Sequence, residues 1–440
     1  MFNFIFLTGL LLVNPKDNAK PIPKAVKSIS VSKFLNSIGV NSSISVRGET
    51  LEQTSKAIKY LGIKWIRTGY EGDIPLPDLI QLHQETGIKY SYGLLSGGTD
   101  IHKLLKNGKV LSAENALLAF EGLNEPNNWE IVYNGEKGGA NNSWKAVANV
   151  QKDLYTAVKK DAVLKHYPVW SICENGAQTD NTGLQFLKIP ERSPTSMPSG
   201  TKFADFAVCH NYFMHPSHPG LYDNQTWNAA DPGPDCKVDG LFGNYGITWK
   251  SKFKGYTNQQ LQLLPRVTTE TGMTIDVDRS EEKQARLYLN LYLAQFKRNW
   301  SYTAVYLLRD RSDESGNQSF GFYTKDYSPR KSALYLHNMT TILGNPKRKE
   351  SKPMRSLPYR IERQPSTVHD LLLQKWNGKL ALVIWAEKAI GSENVMLTLP
   401  RNTKSVKIYD PTIGTAAIAS YEDKNMIRLS LSDHPVIIEL

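Results

Sequence analysis

The chain has 440 residues, 40% hydrophobic, 10% aromatic and 22% charged, with a formal net charge of +11. This composition excludes collagen, coiled coils and disordered chains, and the length suits two or three domains or one large barrel with an attachment. Three cysteines (Cys173, Cys209, Cys236) supply neither a disulfide framework nor a four-cysteine zinc centre, although one disulfide and an odd thiol are possible.

The positive balance favours an anionic partner, whether nucleic acid, acidic glycan or a bacterial surface, and does not choose among them. Residues 2–13 form a mostly apolar run. It is too short to span a bilayer as a helix and suits the core of a secretion signal. A secreted or periplasmic protein, with residues 1–20 as its signal peptide, is therefore expected. The alternative is a buried N-terminal strand.

From about residue 30 to 345, short apolar strands alternate with amphipathic helices. The first strand spans Ser37–Asn41. A helix follows at Leu51–Leu61, with Thr50 as N-cap, Gln53 completing a capping box and Gly62 as the stop. Further strands are expected at Ile63–Thr68, Ile88–Leu94, Leu117–Asn124, Val169–Cys173, Phe203–Cys209, Pro265–Thr269 and Thr303–Leu308. Helices are expected at Asp78–Glu85, Trp144–Lys160 and Glu281–Arg298, the last with acids in its first turn and bases in its last. Eight strand units of this kind predict a closed parallel (β/α)8 barrel. A doubly wound sheet would place a Gly-rich phosphate loop after its first strand, and none is present.

Past Gly344 the character changes. Lys347, Arg348, Lys349, Lys352, Arg355, Arg360 and Arg363 face only Glu350 and Glu362. Short β runs follow at Asp370–Trp376, Lys379–Trp385, Val395–Leu399, Ser405–Tyr409, Met426–Leu431 and Val436–Leu440. Turn residues such as Asn377-Gly378 and Asp410-Pro411 separate them. Residues 346–440 thus read as a basic linker and a small antiparallel β-sandwich.

In such a barrel the reactive side chains sit at the C-terminal ends of the strands. The fourth strand ends in Phe120-Glu121-Gly122-Leu123-Asn124-Glu125-Pro126-Asn127, and the seventh in Val267-Thr268-Thr269-Glu270. Glu125 and Glu270 are thereby aimed from opposite sides at one cleft. Glycoside hydrolysis needs such a pair, one carboxyl donating a proton and the other attacking or activating water.

Asn124-Glu125-Pro126 after the fourth strand, with Glu270 after the seventh, resembles clan A of the glycoside hydrolases, and the fuller string is similar to its xylosidase-type families. The resemblance implies a retaining (β/α)8-barrel glycosidase with Glu125 as acid/base and Glu270 as nucleophile. It further implies that Asn124 holds the sugar 2-hydroxyl and that Arg67 keeps Glu270 ionised. His210 and Tyr212 match the clan's His-x-Tyr, whose tyrosine contacts the nucleophile. Where the clan usually ends its eighth strand in tryptophan, this chain has Val305-Tyr306-Leu307-Leu308-Arg309-Asp310. Tyr306 is the expected substitute floor for the sugar, or Arg309 and Asp310 grip a polar substituent.

Other signals are weaker. Trp129 and Tyr133 after the fourth strand, and Tyr222, Trp227, Phe242, Tyr245 and Trp249 after the sixth, offer flat faces for sugars or for loop packing. Glu71 and Glu174 also fall near strand ends. His210, His215 and His218 lack a carboxylate at metal-ligand spacing, and Asp310, Asp313, Glu314 and Asn317 lack the calcium-loop order. No metal or cofactor is expected. Nor is a nucleic-acid recognition motif present.

The reading is a retaining β-glycosidase of a poly- or oligosaccharide, with an anionic polysaccharide among the candidate substrates. A barrel that binds glycans without catalysis is its competitor, and both glutamates with Asn124, Arg67 and Tyr212 argue against it. Transglycosylation would use the same residues.

Overall fold

A computed structural model describes residues 24–126, 128–139, 145–173, 203–214, 220–230, 264–344, 353–401 and 403–440. The N-terminal apolar run, Glu174, His215, His218, Cys236, Phe242, Tyr245, Trp249 and the first half of the basic linker lie outside them.

The barrel strands are β1 (Ile38–Asn41), β2 (Trp65–Thr68), β3 (Lys89–Gly93), β4 (Leu117–Glu121), β5 (Val169–Trp170), β6 (Ala207–Cys209), β7 (Arg266–Thr268) and β8 (Trp300–Val305). They form one parallel 8-stranded sheet running from β6 through β8 and β1 to β5. A parallel bridge between Trp170 and Phe206 joins the two ends of that row. The fold is therefore the expected barrel.

Its interior is unusually aromatic. Trp65, Ala119, Trp170, Val208, Val267 and Ala304 form a buried cluster drawn from the strands, with the Trp65 and Trp170 rings edge to face at 5.6 Å. Rings this large fit only because their neighbours are small. A Cβ on Gly39 would lie 2.1 Å from the Trp65 ring.

The helices cover the outside. In α1 (Leu51–Leu61) Thr50 accepts from the Gln53 amide and Gly62, at φ 74°, closes the last turn, as expected. The return bond of the capping box is replaced, because the Thr50 amide donates to the Tyr327 hydroxyl at 3.2 Å. Helices α2 (Leu76–Thr86), α4 (Lys145–Lys160), α6 (Glu281–Lys297) and α7 (Lys331–Leu343) follow the alternation. α3 (Ile101–Ala113), capped by Asp100, was not foreseen in the sequence. Its interior Gly108 resembles a helix breaker. Here it serves close packing, since a Cβ would sit 2.3 Å from the Phe120 ring.

The β-sandwich pairs a six-stranded sheet with a three-stranded one. Alternation along each strand divides its side chains between two cores. Leu372, Leu382, Ile384 and Ile438 face the second sheet. Leu371, Leu373, Val383 and Trp385 join the large core shared with the barrel helices. The N-terminal segment also belongs to this assembly. Ile29–Ser30 pairs in parallel with Leu373–Gln374, and Val26–Lys27 pairs with Ser356–Leu357. Strand Ala417–Glu422 escapes sequence reading because its side chains are mostly exposed and lack an apolar alternation. Among the described residues no helix is long and apolar enough to cross a membrane.

Candidate active site

Arg67 stands at the centre of the barrel mouth, 1% exposed. Its Nε donates to Glu121 Oε1 at 2.8 Å and its Nη2 to Asn124 Oδ1 at 2.7 Å. Nη1 donates to Glu270 Oε1. The guanidinium lies 3.7 Å above the Tyr70 ring, whose hydroxyl donates to Asn41 Oδ1 at 2.7 Å. Sequence reasoning foresaw Arg67, Asn124 and Glu270 as neighbours; it passed over Glu121, Asn41, Tyr70 and Cys173. The available signal for Glu121 was a carboxylate inside an otherwise apolar strand. Such a group is almost never fully buried without a partner.

Glu270 also accepts from the Tyr212 hydroxyl at 2.9 Å. Across the mouth, Glu125 follows β4 with a left-handed backbone, φ 39°. That conformation is uncommon for a residue with a side chain and concentrates at functional sites. Its amide donates to the Cys173 carbonyl at 3.0 Å, its Oε2 accepts from Asn128, and its Oε1 lies 2.8 Å from His210 Nδ1. The same nitrogen is 3.5 Å from Glu270 Oε2, so His210 spans the pair. One oxygen of Glu125, one of Glu270 and a His210 nitrogen all fall within 4.8 Å of one another.

Burial pushes both carboxyls above their ordinary range, because the charged form loses water. For Glu270 its neighbours His210 and Arg67, the latter a standing positive charge, oppose that rise, while Glu125 and Glu71 add to it. Glu125 is opposed chiefly by its bond from Asn128, then by Arg67. The direct ion pair thus falls on Glu270, which favours its ionised form over that of Glu125. His210 is held down at about 4 by burial and is a neutral imidazole at pH 7. Burial pushes the Cys173 thiol well up, leaving a neutral donor 2.5 Å from Glu121 Oε1.

Tyr306 is buried in the mouth at the end of β8, edge to face with Phe320 at 5.7 Å, and its hydroxyl donates to Glu314. Arg311 explains the acidic cluster beside it, pairing with Glu71 at 2.5 Å and with Asp313 and Glu314 at 2.7 Å. Trp129 is 52% exposed at the rim, its amide donating to the Glu125 carbonyl at 2.8 Å. Asp310 lies apart from the glutamate pair, accepting from the Gly321 amide at 2.7 Å and from Arg330. The structure therefore brings Glu125, Glu270, Asn124, Arg67, His210 and Tyr212 into one cluster, with Tyr306 and Trp129 at its edge. Glu121–Cys173–His210 and Glu125–His210–Glu270 have the donor spacing for a metal ion. The Arg67 guanidinium, bonded to Glu121 and Glu270, opposes a second cation at either.

No protein-family model and no curated protein matches the chain. Solved structures do. A family 39 glycoside hydrolase from the gut symbiont Bacteroides cellulosilyticus WH2 superposes with a TM-score of 0.58 at 16% identity, over 94% of this chain and 82% of that one. A family 51 α-L-arabinofuranosidase from Thermotoga petrophila RKU-1 gives 0.56 at 10% identity, over 95% and 98%. Another from Bifidobacterium longum gives 0.52 at 9%, over 94% and 97%. The chain has the (β/α)8-barrel fold of these glycoside hydrolases.

Proposed function

We propose that this protein is a retaining β-glycoside hydrolase of a poly- or oligosaccharide, with Glu270 as nucleophile and Glu125 as acid/base. The observation that carries the reading is that one oxygen of Glu125 and one of Glu270 come within 4.8 Å of each other across the barrel mouth, which favours the close spacing of a retaining pair. Retaining enzymes hold their carboxyls about 5–5.5 Å apart, whereas inverting ones leave about 6.5–9.5 Å for a water.

In the first step Glu270 attacks the anomeric carbon while Glu125 protonates the departing glycosidic oxygen. A glycosyl ester on Glu270 results. Glu125, now ionised, takes a proton from water as its oxygen attacks that carbon and Glu270 leaves. Arg67 and Tyr212 stabilise the Glu270 carboxylate before attack and after release. Asn124, its carbonyl oxygen fixed by Arg67, is left with its amide group for the 2-hydroxyl, sharing it with Ser96. An acceptor sugar in place of water would give transglycosylation.

The net charge of +11 supports an anionic polysaccharide matrix as target and, with the N-terminal apolar run, an exported protein. The attraction belongs to the outer surface, because in the mouth Arg67 and Arg311 are already paired with acids. A screen of purified protein against arrayed polysaccharides and nitrophenyl β-glycosides tests the reading. Turnover of at least one, abolished in Glu270→Ala, is the expected result. Turnover undiminished in that variant overturns it.

A further inference from the structure

We propose that Glu387, a residue of the β-sandwich, is a positioning residue for the catalytic loop after β6, acting on Tyr212 through a short helix. The proposal rests on the roles given above to Glu270 and Tyr212.

Glu387 directly follows the sandwich strand Leu380–Ala386 and is 3% exposed. Its carboxylate nevertheless makes most of its bonds to the barrel. Oε2 accepts from the amides of Thr226 and Trp227, both at 2.9 Å, and Oε1 accepts from Thr226 Oγ1 at 2.6 Å and Trp385 Nε1 at 3.2 Å. The Asn224 amide donates to the Glu387 carbonyl at 2.9 Å. All of these donors but Trp385 belong to the start of α5 (Gln225–Ala229) or to Asn224, the residue before it. A five-residue helix is far too short to hold itself together, so its geometry is set by what grips it. A buried carboxylate is tolerated when donors surround it, as they do here.

From α5 the grip passes to the catalytic loop. Asn211 Nδ2 donates to the Ala229 carbonyl at 3.1 Å, and Gln225 Nε2 donates to the Phe213 carbonyl at 2.9 Å. These bonds hold the residues on either side of Tyr212. Tyr212 spends its hydroxyl on Glu270 at 2.9 Å, and His210, one residue earlier than Asn211, touches Glu125. The sandwich reinforces the hold at further points. His369 stacks on Trp227 at 3.8 Å, and Asn224 Nδ2 donates to the Ser366 carbonyl. The sandwich thereby fixes, through named bonds, a loop that carries catalytic groups on the barrel.

Full-length Glu387→Gln, Thr226→Ala and Tyr212→Phe proteins test this by two routes. In hydrogen–deuterium exchange, Glu387→Gln should speed exchange of residues 210–214 and 224–230 while β2 and β4 stay as in the parent. In kinetics, it should lower kcat roughly tenfold with KM changed less than about twofold. Loss of the Tyr212 bond also raises the Glu270 pKa among its other neighbours Arg67, His210, Glu125 and Glu71. The acid limb of kcat/KM should therefore move to higher pH, as in Tyr212→Phe. Adding Tyr212→Phe to Glu387→Gln should cost little more than Tyr212→Phe alone. Thr226→Ala, which removes a single bond, should show the same changes at smaller size and serves if Glu387→Gln does not fold. Arg286→Ala cuts a different barrel–sandwich contact, with Asp433 at 2.9 Å, and should leave the acid limb in place. Unchanged exchange at 210–214, or additive losses with Tyr212→Phe, overturns the proposal. A parent protein inactive on every glycoside would instead overturn the proposed function, and the exchange experiment would still decide the positioning.

Discussion

Arg67 and Glu121 form an ion pair 2.8 Å long beneath the barrel mouth, with 1% of either side chain exposed. The pair sets the orientation of everything above it. Glu121 Oε2 is held by the Ser91 hydroxyl and Oε1 by the Cys173 thiol, so the carboxylate has little freedom to turn. The guanidinium it fixes then presents one nitrogen to Glu270 and another to Asn124. A planar fork suits this task, since one cation must address three acceptors in fixed directions.

Arg67→Ala should accordingly damage stability as well as activity. It leaves Glu121 and Glu270 buried without their counter-charge, a situation that costs about 3–5 kcal/mol. Arg67→Lys keeps the charge and loses the fork, so it should fold and still lose most turnover. Urea denaturation of both variants checks this. A loss below about 1 kcal/mol for Arg67→Ala would show that the cluster is wetter than it looks.

The two glutamates of the mouth were legible in the sequence because each stands at a strand end, Glu125 within Asn-Glu-Pro, and strand ends are where a barrel keeps its chemistry. The layer beneath them was not. Glu121, Cys173 and Asn41 act on Arg67 from three other strand ends, and no local pattern links residues that far apart in sequence. The N-terminal pairing of Ile29–Ser30 with the sandwich was equally hidden, since two residues carry no period. Gly108 shows a different difficulty: a glycine inside a helix disguises the helix in the sequence, and it is there because the Phe120 ring leaves no room for a Cβ.

Gly39→Ala tests the barrel interior. The added methyl would meet the Trp65 ring at 2.1 Å, and Trp65 is held by its indole N–H on the Ser37 carbonyl at 3.1 Å. Overpacking of this kind typically costs about 1–3 kcal/mol. A lowered denaturation midpoint is the expected outcome, and an unchanged one would mean that the ring can move aside.

His210 should remain neutral well below the pH at which an exposed histidine charges. Its folded pKa is about 4, against an ordinary 6.5, because burial disfavours the imidazolium. The unfolded chain therefore takes up the proton first, and protonation favours unfolding. The stability this histidine contributes is complete above about pH 6.5 and is lost as pH falls toward 4, up to about 3 kcal/mol. The raised carboxyls of Glu49 and Glu387 act with the opposite sign, so the ring itself must be followed. Carbon-13 NMR of the labelled imidazole should show no titration between pH 7 and 5.5; a midpoint near 6.5 would refute the assignment.

Retention of an anionic polysaccharide should weaken as salt rises, since exposed charges are screened beyond about 8–10 Å near physiological ionic strength. Affinity electrophoresis in gels of acidic and neutral glycan at two salt concentrations measures it. Equal retardation in both gels, or none lost with salt, would leave the +11 charge without a role in targeting.

The two glutamates should fail in different ways when removed. With Glu270 as the proposed nucleophile, Glu270→Ala should lose turnover on every substrate whatever its leaving group. In the proposed acid/base role, Glu125 donates a proton in the first step and recovers one in the second. Glu125→Ala should therefore lose most on substrates with poor leaving groups and least on activated aryl glycosides, which depart without protonation. For those substrates the second step becomes limiting, because no base is left to activate water. Azide needs no base, and in Glu125→Ala it should speed turnover and yield a β-glycosyl azide. His210, 2.8 Å from Glu125 and neutral, is too weak a base at pH 5–7 to take its place. Proton NMR of the first-formed product from the parent enzyme reads the stereochemistry directly. A β anomer is required by two displacements at one carbon, and an α anomer would mean that water attacks in place of Glu270.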